Sequence, residues 1–149
     1  MISKPVLKDL INIRLKDAQV LSKNRRYQAA VYMSGYAMEI ALKLKICHMF
    51  LFQKGFPETK KEFSDYRLPS SKRNLGVVIN DLKEIRHHGL SKLLFYSGAE
   101  LRVKQTFLNE WNLIAGWDPK MRYKNNKIRK AEAETWLLSV QVLLEEIFL

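Results

Sequence analysis

Hydrophobic residues recur at three- and four-residue spacing through four long segments of the chain. Such spacing places them on one face of a helix, and no segment alternates for long as a strand would. The four predicted helices run from about Pro5 to Ser22, from near Arg25 to before Gly55, from after Ser97-Gly98 to Gly116, and from Lys130 to Phe148. We therefore predict an all-α protein built as an up-and-down four-helix bundle.

Shorter elements separate the second and third predicted helices. Leu75, Ile79, Leu82 and Ile85 indicate one short helix, and residues 90–95 indicate another. Residues 55–71 carry two prolines and many charges, so we expect them to form a mobile loop. The predicted fold is thus a four-helix bundle with extra short helices between helices two and three.

Each long helix has an apolar stripe that must pack against other helices. In chain order the inward positions are Leu7, Leu10, Ile11, Ala18 and Leu21; Ala30, Met33, Ala37, Ile40, Leu44 and Cys47; Leu101, Phe107 or Leu108, Trp111 and Ile114; and Ala133, Trp136 or Leu137, Val140, Leu143 or Leu144 and Ile147. Gly35 interrupts the second helix, where glycine costs about 1 kcal/mol of helix propensity relative to alanine. It therefore needs a packing reason.

Length and composition favour a single domain that folds without a cofactor. The chain has 149 residues and 47% hydrophobic residues, which suit one core. Cys47 is the only cysteine, so no intrachain disulfide is possible. The N-terminal residues lack the apolar core and cleavage site of a signal peptide, and charges interrupt the apolar run 29–52. We expect a cytoplasmic protein without a membrane span.

The charge balance points to a polyanion or an acidic partner. Twenty-six lysines and arginines oppose fifteen acids, which gives a net charge of +11. Residues 120–130 hold the densest cluster, in which six of eleven residues are basic and none is acidic. A smaller cluster spans residues 23–26, for which a solvated surface is at least as good an explanation. We assign function to the larger cluster.

Several short motifs occur in the order found in HEPN domains, small helical domains named for higher eukaryotes, prokaryotes and nucleotide binding. They are Tyr27 with Ala29-Ala30, Ser34-Gly35-Tyr36-Ala37, Glu39 with Leu42-Lys43, His88-Gly89-Leu90 ahead of Leu93-Leu94, and Trp117-Asp118-Pro119 with Arg122-Tyr123. The chain resembles this family over nearly its whole length. The resemblance implies a dimerising bundle and a minimal nucleotidyltransferase partner, often in a toxin and antitoxin system.

Ribonuclease activity is not implied, because the residues that carry it in the family are missing. Many HEPN ribonucleases use an arginine and a histidine four to six residues apart, which move a proton and stabilise charge on phosphate. Here Arg122 is followed at that spacing by Asn126, Lys127 and Ile128. Lys43 precedes His48 by five residues, but lysine lacks the planar fork of arginine, and a Glu39 to Lys43 helical ion pair explains it better.

Other chemistries have less support. His87 and His88 are adjacent and cannot form the i, i+4 pair of a helical zinc site. The six glycines are scattered singly, so no phosphate-cradling loop is present, and Cys47 is best explained as a buried hydrophobe. We predict no metal ligands and no catalytic residues.

The remaining candidate is a nucleotide- or RNA-binding site around residues 117–130. Cations there suit phosphate, and tyrosine can stack on a base. The candidate residues are Trp117, Lys120, Arg122, Tyr123, Lys124 and Lys127, together with Glu39 and His88. An equally weighted structural explanation has Trp117 and Tyr123 close the end of the bundle while Arg122 binds helix carbonyls or Glu39.

Three functions follow as hypotheses. The first is a non-enzymatic or catalytically reduced HEPN domain that binds nucleotide, RNA or a nucleotidyltransferase. The second is a metal-independent ribonuclease toxin with a non-standard site at His88, Arg86 or Arg122, and the third is a structural adaptor for an acidic protein. We also expect a homodimer, because Tyr32, Tyr36, Ile46 and Phe50 add apolar surface outside the main stripe of helix two.

Overall fold

The computed structural model describes residues 1–66 and 78–148, and these residues are mainly helical. The helices are α1 (Lys4–Lys23), α2 (Tyr27–Met49), α3 (Lys60–Ser64), α4 (Leu82–Ile85), α5 (Leu90–Ser97), α6 (Glu100–Thr106), α7 (Leu108–Ile114), a 3-10 helix (Pro119–Tyr123) and α8 (Lys130–Phe148). Extended pairing in the described part of the chain is limited to one bridge between Ile2 and Phe56. The all-α class is confirmed.

The first and last helices match their predicted bounds closely. Ser3 caps α1, since its hydroxyl accepts a hydrogen bond from the backbone N–H of Val6 at 3.5 Å. Pro5 lies in the first turn, where a missing N–H costs nothing. Arg25 then has a left-handed backbone, with φ of 60°, and turns the chain back into α2.

Helix α2 is the central element of the fold. Its apolar spacing predicts a single buried face, but the structure buries it on several sides. It packs against α1, α5 and α8 on different sides. Residues all around it are therefore buried, whereas Met33 and Ile40 of the predicted stripe are only partly buried. The buried residues are Ala30, Val31, Ser34, Gly35, Ala37, Met38, Glu39, Ala41, Leu42, Leu44, Ile46 and Cys47. A helix that is apolar on every side belongs inside the fold.

The surface predicted for a homodimer is largely used within the chain. Ile46 and Phe50 are buried in the core, at 0% and 2% exposure, so they are not surplus apolar area. Tyr32 and Tyr36 are half-buried and pack with Trp117. The premise of that prediction was wrong, and the homodimer rests on the family resemblance.

The third predicted helix is broken into α6 and α7. The backbone at Phe107, with φ of −128° and ψ of 36°, leaves the helical region. Trp111 and Ile114 are buried as predicted, but Leu101 is 70% exposed and does not face the core. Because of the break, α6 presents a different face to the core than a continuous helix would, and its buried residue is Val103.

The segment predicted as a loop from residue 55 contains the short helix α3. Thr59 and Glu62 form a capping box that starts this helix, each side chain bonding the other's backbone N–H. Residues 67–77, including Leu75, lie outside the described residues. Of the short helix predicted between 75 and 85, the structure shows Leu82–Ile85.

Helix α8 buries Leu137 more completely than Trp136. The Trp136 ring is partly buried against the core, and its indole N–H has no hydrogen-bond partner among the described residues. Leu143 and Leu144 are both buried. Across residues 1–66 and 78–148, no helix combines the length and apolarity needed to cross a membrane.

Candidate functional site

A groove of about 790 Å³ opens where the turn between α1 and α2 faces the 3-10 helix and the segment after it. We call it the basic groove. Its lining residues are Arg25, Arg26, Tyr27, Gln28, Ala29, Tyr32, Met121, Arg122, Tyr123, Lys124, Asn125, Asn126, Lys127 and Ile128. Two segments about a hundred residues apart thus form its walls.

The basic groove is strongly positive. Arg25, Arg26, Arg122, Lys124 and Lys127 line it, and none of the described lining residues has a carboxylate. None of these five side chains forms an ion pair with a described residue. Cations gathered in a concave surface without counter-charges attract anions and raise their local concentration.

The far wall of the groove is fixed to the core by its 3-10 helix. Asp118 caps this helix, accepting a hydrogen bond from the N–H of Lys120 at 2.7 Å, and Pro119 occupies its first position. Pro119 is buried and Met121 packs against the core, so the helix is anchored on its inner side. The side-chain amide of Gln28 donates to the carbonyl of Lys124 and joins the two walls.

Trp117 is buried beneath the groove and contacts the backbone of the lining residue Tyr32. Its ring is 2% exposed and lies directly on Gly35, where a Cβ atom would come within 2.0 Å of the indole nitrogen. The indole N–H donates to the carbonyl oxygen of Tyr32 at 3.2 Å, and the Tyr36 ring meets the indole edge-on at 4.9 Å between centroids. This is the packing reason that the glycine within helix two requires.

Tyr32 links this aromatic cluster to Arg122. The hydroxyl of Tyr32 lies 3.2 Å from that of Tyr36. Hydrogen bonding to Tyr36 lowers the pKa of Tyr32, as does the neighbouring Arg122 guanidinium, whereas burial raises the pKa of Tyr36 to about 12. Tyr36 therefore keeps its proton to higher pH than Tyr32, and either hydroxyl can donate in this pair.

The Arg122 guanidinium lies between two tyrosines. The hydroxyl of Tyr32, and then that of Tyr123, raises the pKa of Arg122 above its ordinary value, because each favours the charged form. The guanidinium carbon also lies 4.8 Å from the centre of the Tyr123 ring, in a cation–π contact. Tyr123 itself is 77% exposed, so one face of its ring remains available at the rim.

A separate cluster surrounds Glu39, whose side chain is only 4% exposed. One carboxylate oxygen accepts a hydrogen bond from Lys43 Nζ at 2.6 Å, and both oxygens lie 3.0 Å from His88 Nδ1. The predicted Glu39 to Lys43 ion pair is confirmed. Its histidine neighbour is His88 rather than His48, which is exposed. The cluster fastens the loop before α5 to the central helix.

The predicted site residues divide into two groups. Arg122, Tyr123, Lys124 and Lys127 line the basic groove. Trp117, Lys120, Glu39 and His88 do not: Trp117 is a buried support, Lys120 lies outside the lining, and Glu39 and His88 bind each other. Arg122 contacts Tyr32 and Tyr123, and among the described residues it forms no ion pair with Glu39 and no hydrogen bond with a helix carbonyl.

The other wall of the groove was not predicted from the sequence. Arg25 and Arg26 belong to the smaller basic cluster, for which a solvated surface was at least as good an explanation. The sequence feature that could have revealed them is a cluster of basic residues at the start of a helix. This helix start also lacks a capping side chain, because Arg26 makes no side-chain hydrogen bond to the first turn of α2. Tyr27 appeared in the sequence only as part of the motif that resembles HEPN domains, and Gln28 gave no signal.

Comparison with protein-family models, curated proteins and solved structures gives no match for this chain.

Proposed function

We propose that the basic groove binds a phosphate-bearing ligand, a nucleotide or RNA, and that the chain is a non-enzymatic HEPN-type domain. The observation that carries the proposal is the set of five cations around one groove with no carboxylate in its lining. Phosphate is the anion that such a set suits best, because arginine forks pair with two phosphate oxygens at once.

Two further features support the proposal, and the second favours a nucleotide over a simple anion. The uncapped first turn of α2 lines the groove, and free N–H groups at a helix start favour phosphate. Tyr123 stands exposed beside Arg122, which suits stacking on an unpaired base. An acidic protein surface would use the charge but has no need of the exposed ring.

Binding of a fluorescently labelled single-stranded RNA, followed by anisotropy, tests this function. We expect Arg122→Ala to weaken binding by about tenfold to a hundredfold, as for a lost charge-assisted phosphate contact. Lys8→Gln is the charge-matched control, because Lys8 is exposed near the N-terminal end of α1, whereas the groove lies beyond the C-terminal end of this helix. Absence of RNA and nucleotide binding at low salt would refute the proposal and favour the adaptor for an acidic protein.

The Glu39 and His88 contact gives the ribonuclease alternative its one structural support. A buried carboxylate that holds one imidazole nitrogen orients the ring for proton transfer, and the His88 side chain is 61% exposed. His88 does not line the basic groove, so the cations of the groove are not part of the His88 site. We expect incubated RNA to stay intact, with His88→Ala behaving as the wild type. Metal-independent cleavage that disappears in His88→Ala would establish the alternative instead.

Two partners follow from the family resemblance alone. A second copy of the chain and a minimal nucleotidyltransferase are each predicted partners of this proposed HEPN-type domain. Light scattering at micromolar concentration tests the first, because a species of only 17.5 kDa would exclude a stable homodimer. Co-purification with a nucleotidyltransferase encoded next to this chain tests the second.

A further inference from the structure

A second cavity of about 530 Å³ adjoins the basic groove. Its lining residues are Ser22, Lys23, Arg25, Tyr27, Lys130 and Glu134. Arg25 and Tyr27 line both spaces, so the two cavities adjoin at these residues. The two cavities together extend from the segment after the 3-10 helix, across the turn between α1 and α2, to the start of α8.

Arg25, which lines both cavities, lies in the left-handed turn between α1 and α2. With φ of 60°, Arg25 departs from the helical backbone on either side and is exposed at the point where the cavities meet. A non-glycine residue seldom adopts this conformation, and here it belongs to an arginine that lines both cavities. A phosphate bound by Arg25 could therefore belong to a chain that continues in both directions.

Positive charge also continues along the path. Lys23 and Lys130 add to Arg25 in the second cavity, and both are exposed. Glu134 is the one carboxylate there, at 3.8 Å from Lys130, and it offsets only part of this charge. A mononucleotide has one phosphate-bearing end and would leave one cavity unused, whereas a strand has regularly repeated phosphates.

We propose that the ligand is a single strand of nucleic acid that occupies both cavities, with a base on Tyr123 and its backbone crossing Arg25. The inference rests on the proposed function and specifies its ligand class. An unpaired strand is required because stacking on an exposed tyrosine needs a base whose face is free, which a duplex does not offer.

A length series tests the inference. Affinity is measured for a uridine mononucleotide and for uridine strands of increasing length, at one ionic strength. We expect affinity to rise until the strand fills both cavities. Lys23→Gln with Lys130→Gln should weaken the longest strand by about tenfold and leave the mononucleotide unchanged, since only the strand reaches these lysines. Lys8→Gln with Lys92→Gln, two exposed lysines outside both cavities, is the matched control.

The outcomes separate this inference from the proposed function. Equal affinity for all lengths, or an unaffected long strand in the Lys23 and Lys130 variant, would overturn the extended site and leave the groove function standing. No binding at any length would overturn both. Inorganic polyphosphate that competes as well as RNA of the same length would exclude base stacking and so overturn the nucleic-acid ligand. A DNA strand of equal length, bound in the same way, would support the path and show that the sugar is not read.

Discussion

The indole of Trp117 occupies the space that a side chain at position 35 would need. A Cβ on Gly35 would lie 2.0 to 2.2 Å from three atoms of the ring, far inside van der Waals contact. This close approach lets the segment before the 3-10 helix rest on the central helix. It thereby positions Arg122 and Tyr123, which follow within six residues.

Gly35→Ala should destabilise the protein by about 1 to 3 kcal/mol, because the methyl group forces Trp117 to move. This loss would outweigh the gain in helix propensity of about 1 kcal/mol. Urea unfolding measures it. Gly116→Ala is the control, because a Cβ there meets nothing within 4 Å. In a Trp117→Ala background, Gly35→Ala should lose little of the free energy of unfolding. An undiminished loss would show that the Trp117 ring does not cause it.

The ion pair at Glu39 should stabilise the fold far more than a surface pair of the same geometry. Glu39 with Lys43 and Glu100 with Lys104 are both four residues apart, with Nζ to Oε1 distances of 2.6 Å. Only the first is buried, its glutamate being 4% exposed against 31% for Glu100. We expect Glu39→Gln to cost about 3 to 5 kcal/mol, because it leaves the Lys43 charge without its partner. Glu100→Gln should cost less than about 0.5 kcal/mol. Equal losses in urea unfolding would contradict this difference.

Cys47 should make the protein less stable in alkali. Burial raises the pKa of its thiol to about 12, so the folded protein keeps this proton while the unfolded chain, with an ordinary thiol pKa of about 8.5, loses it. Between these values the unfolded state binds fewer protons, and the free energy of unfolding falls by up to about 1.4 kcal/mol per pH unit.

Unfolding in urea at about pH 8 and about pH 10 tests this dependence. Cys47→Ala should lose less stability over this interval than the wild type, because the titrating thiol is gone. The tyrosines titrate in both proteins, so they cancel in the comparison. Parallel losses in the two proteins would show that the thiol pKa is not raised in the folded state.

Sequence patterns predicted the fold better where one stripe of a helix is buried than where the helix is buried on several sides. Helix α8 begins and ends at its predicted residues, since Lys130 follows a polar segment and the stripe that starts at Ala133 is regular. Helix α2 is covered on several sides, and a single stripe cannot describe that environment. The break at Phe107 leaves the apolar spacing intact, so only backbone geometry reveals it.

The site shows the same division between local and tertiary information. The cluster at residues 120–130 was visible as charge density, and it supplies one wall of the groove. Its pairing with Arg25 and Arg26 depends on how α1 and α2 pack, which no local pattern encodes. The contact of Glu39 with His88 joins residues 49 positions apart and was equally invisible.

The salt dependence of RNA binding tests the central claim most directly. Phosphates neutralised by protein cations release counterions, so the logarithm of affinity falls linearly with the logarithm of salt concentration. If the five groove cations bind phosphates, the slope for a single strand should be about −3.5, and Lys124→Gln with Lys127→Gln should reduce its magnitude by about 1.4. A slope near zero, or the same slope in the double variant and the wild type, would contradict the account.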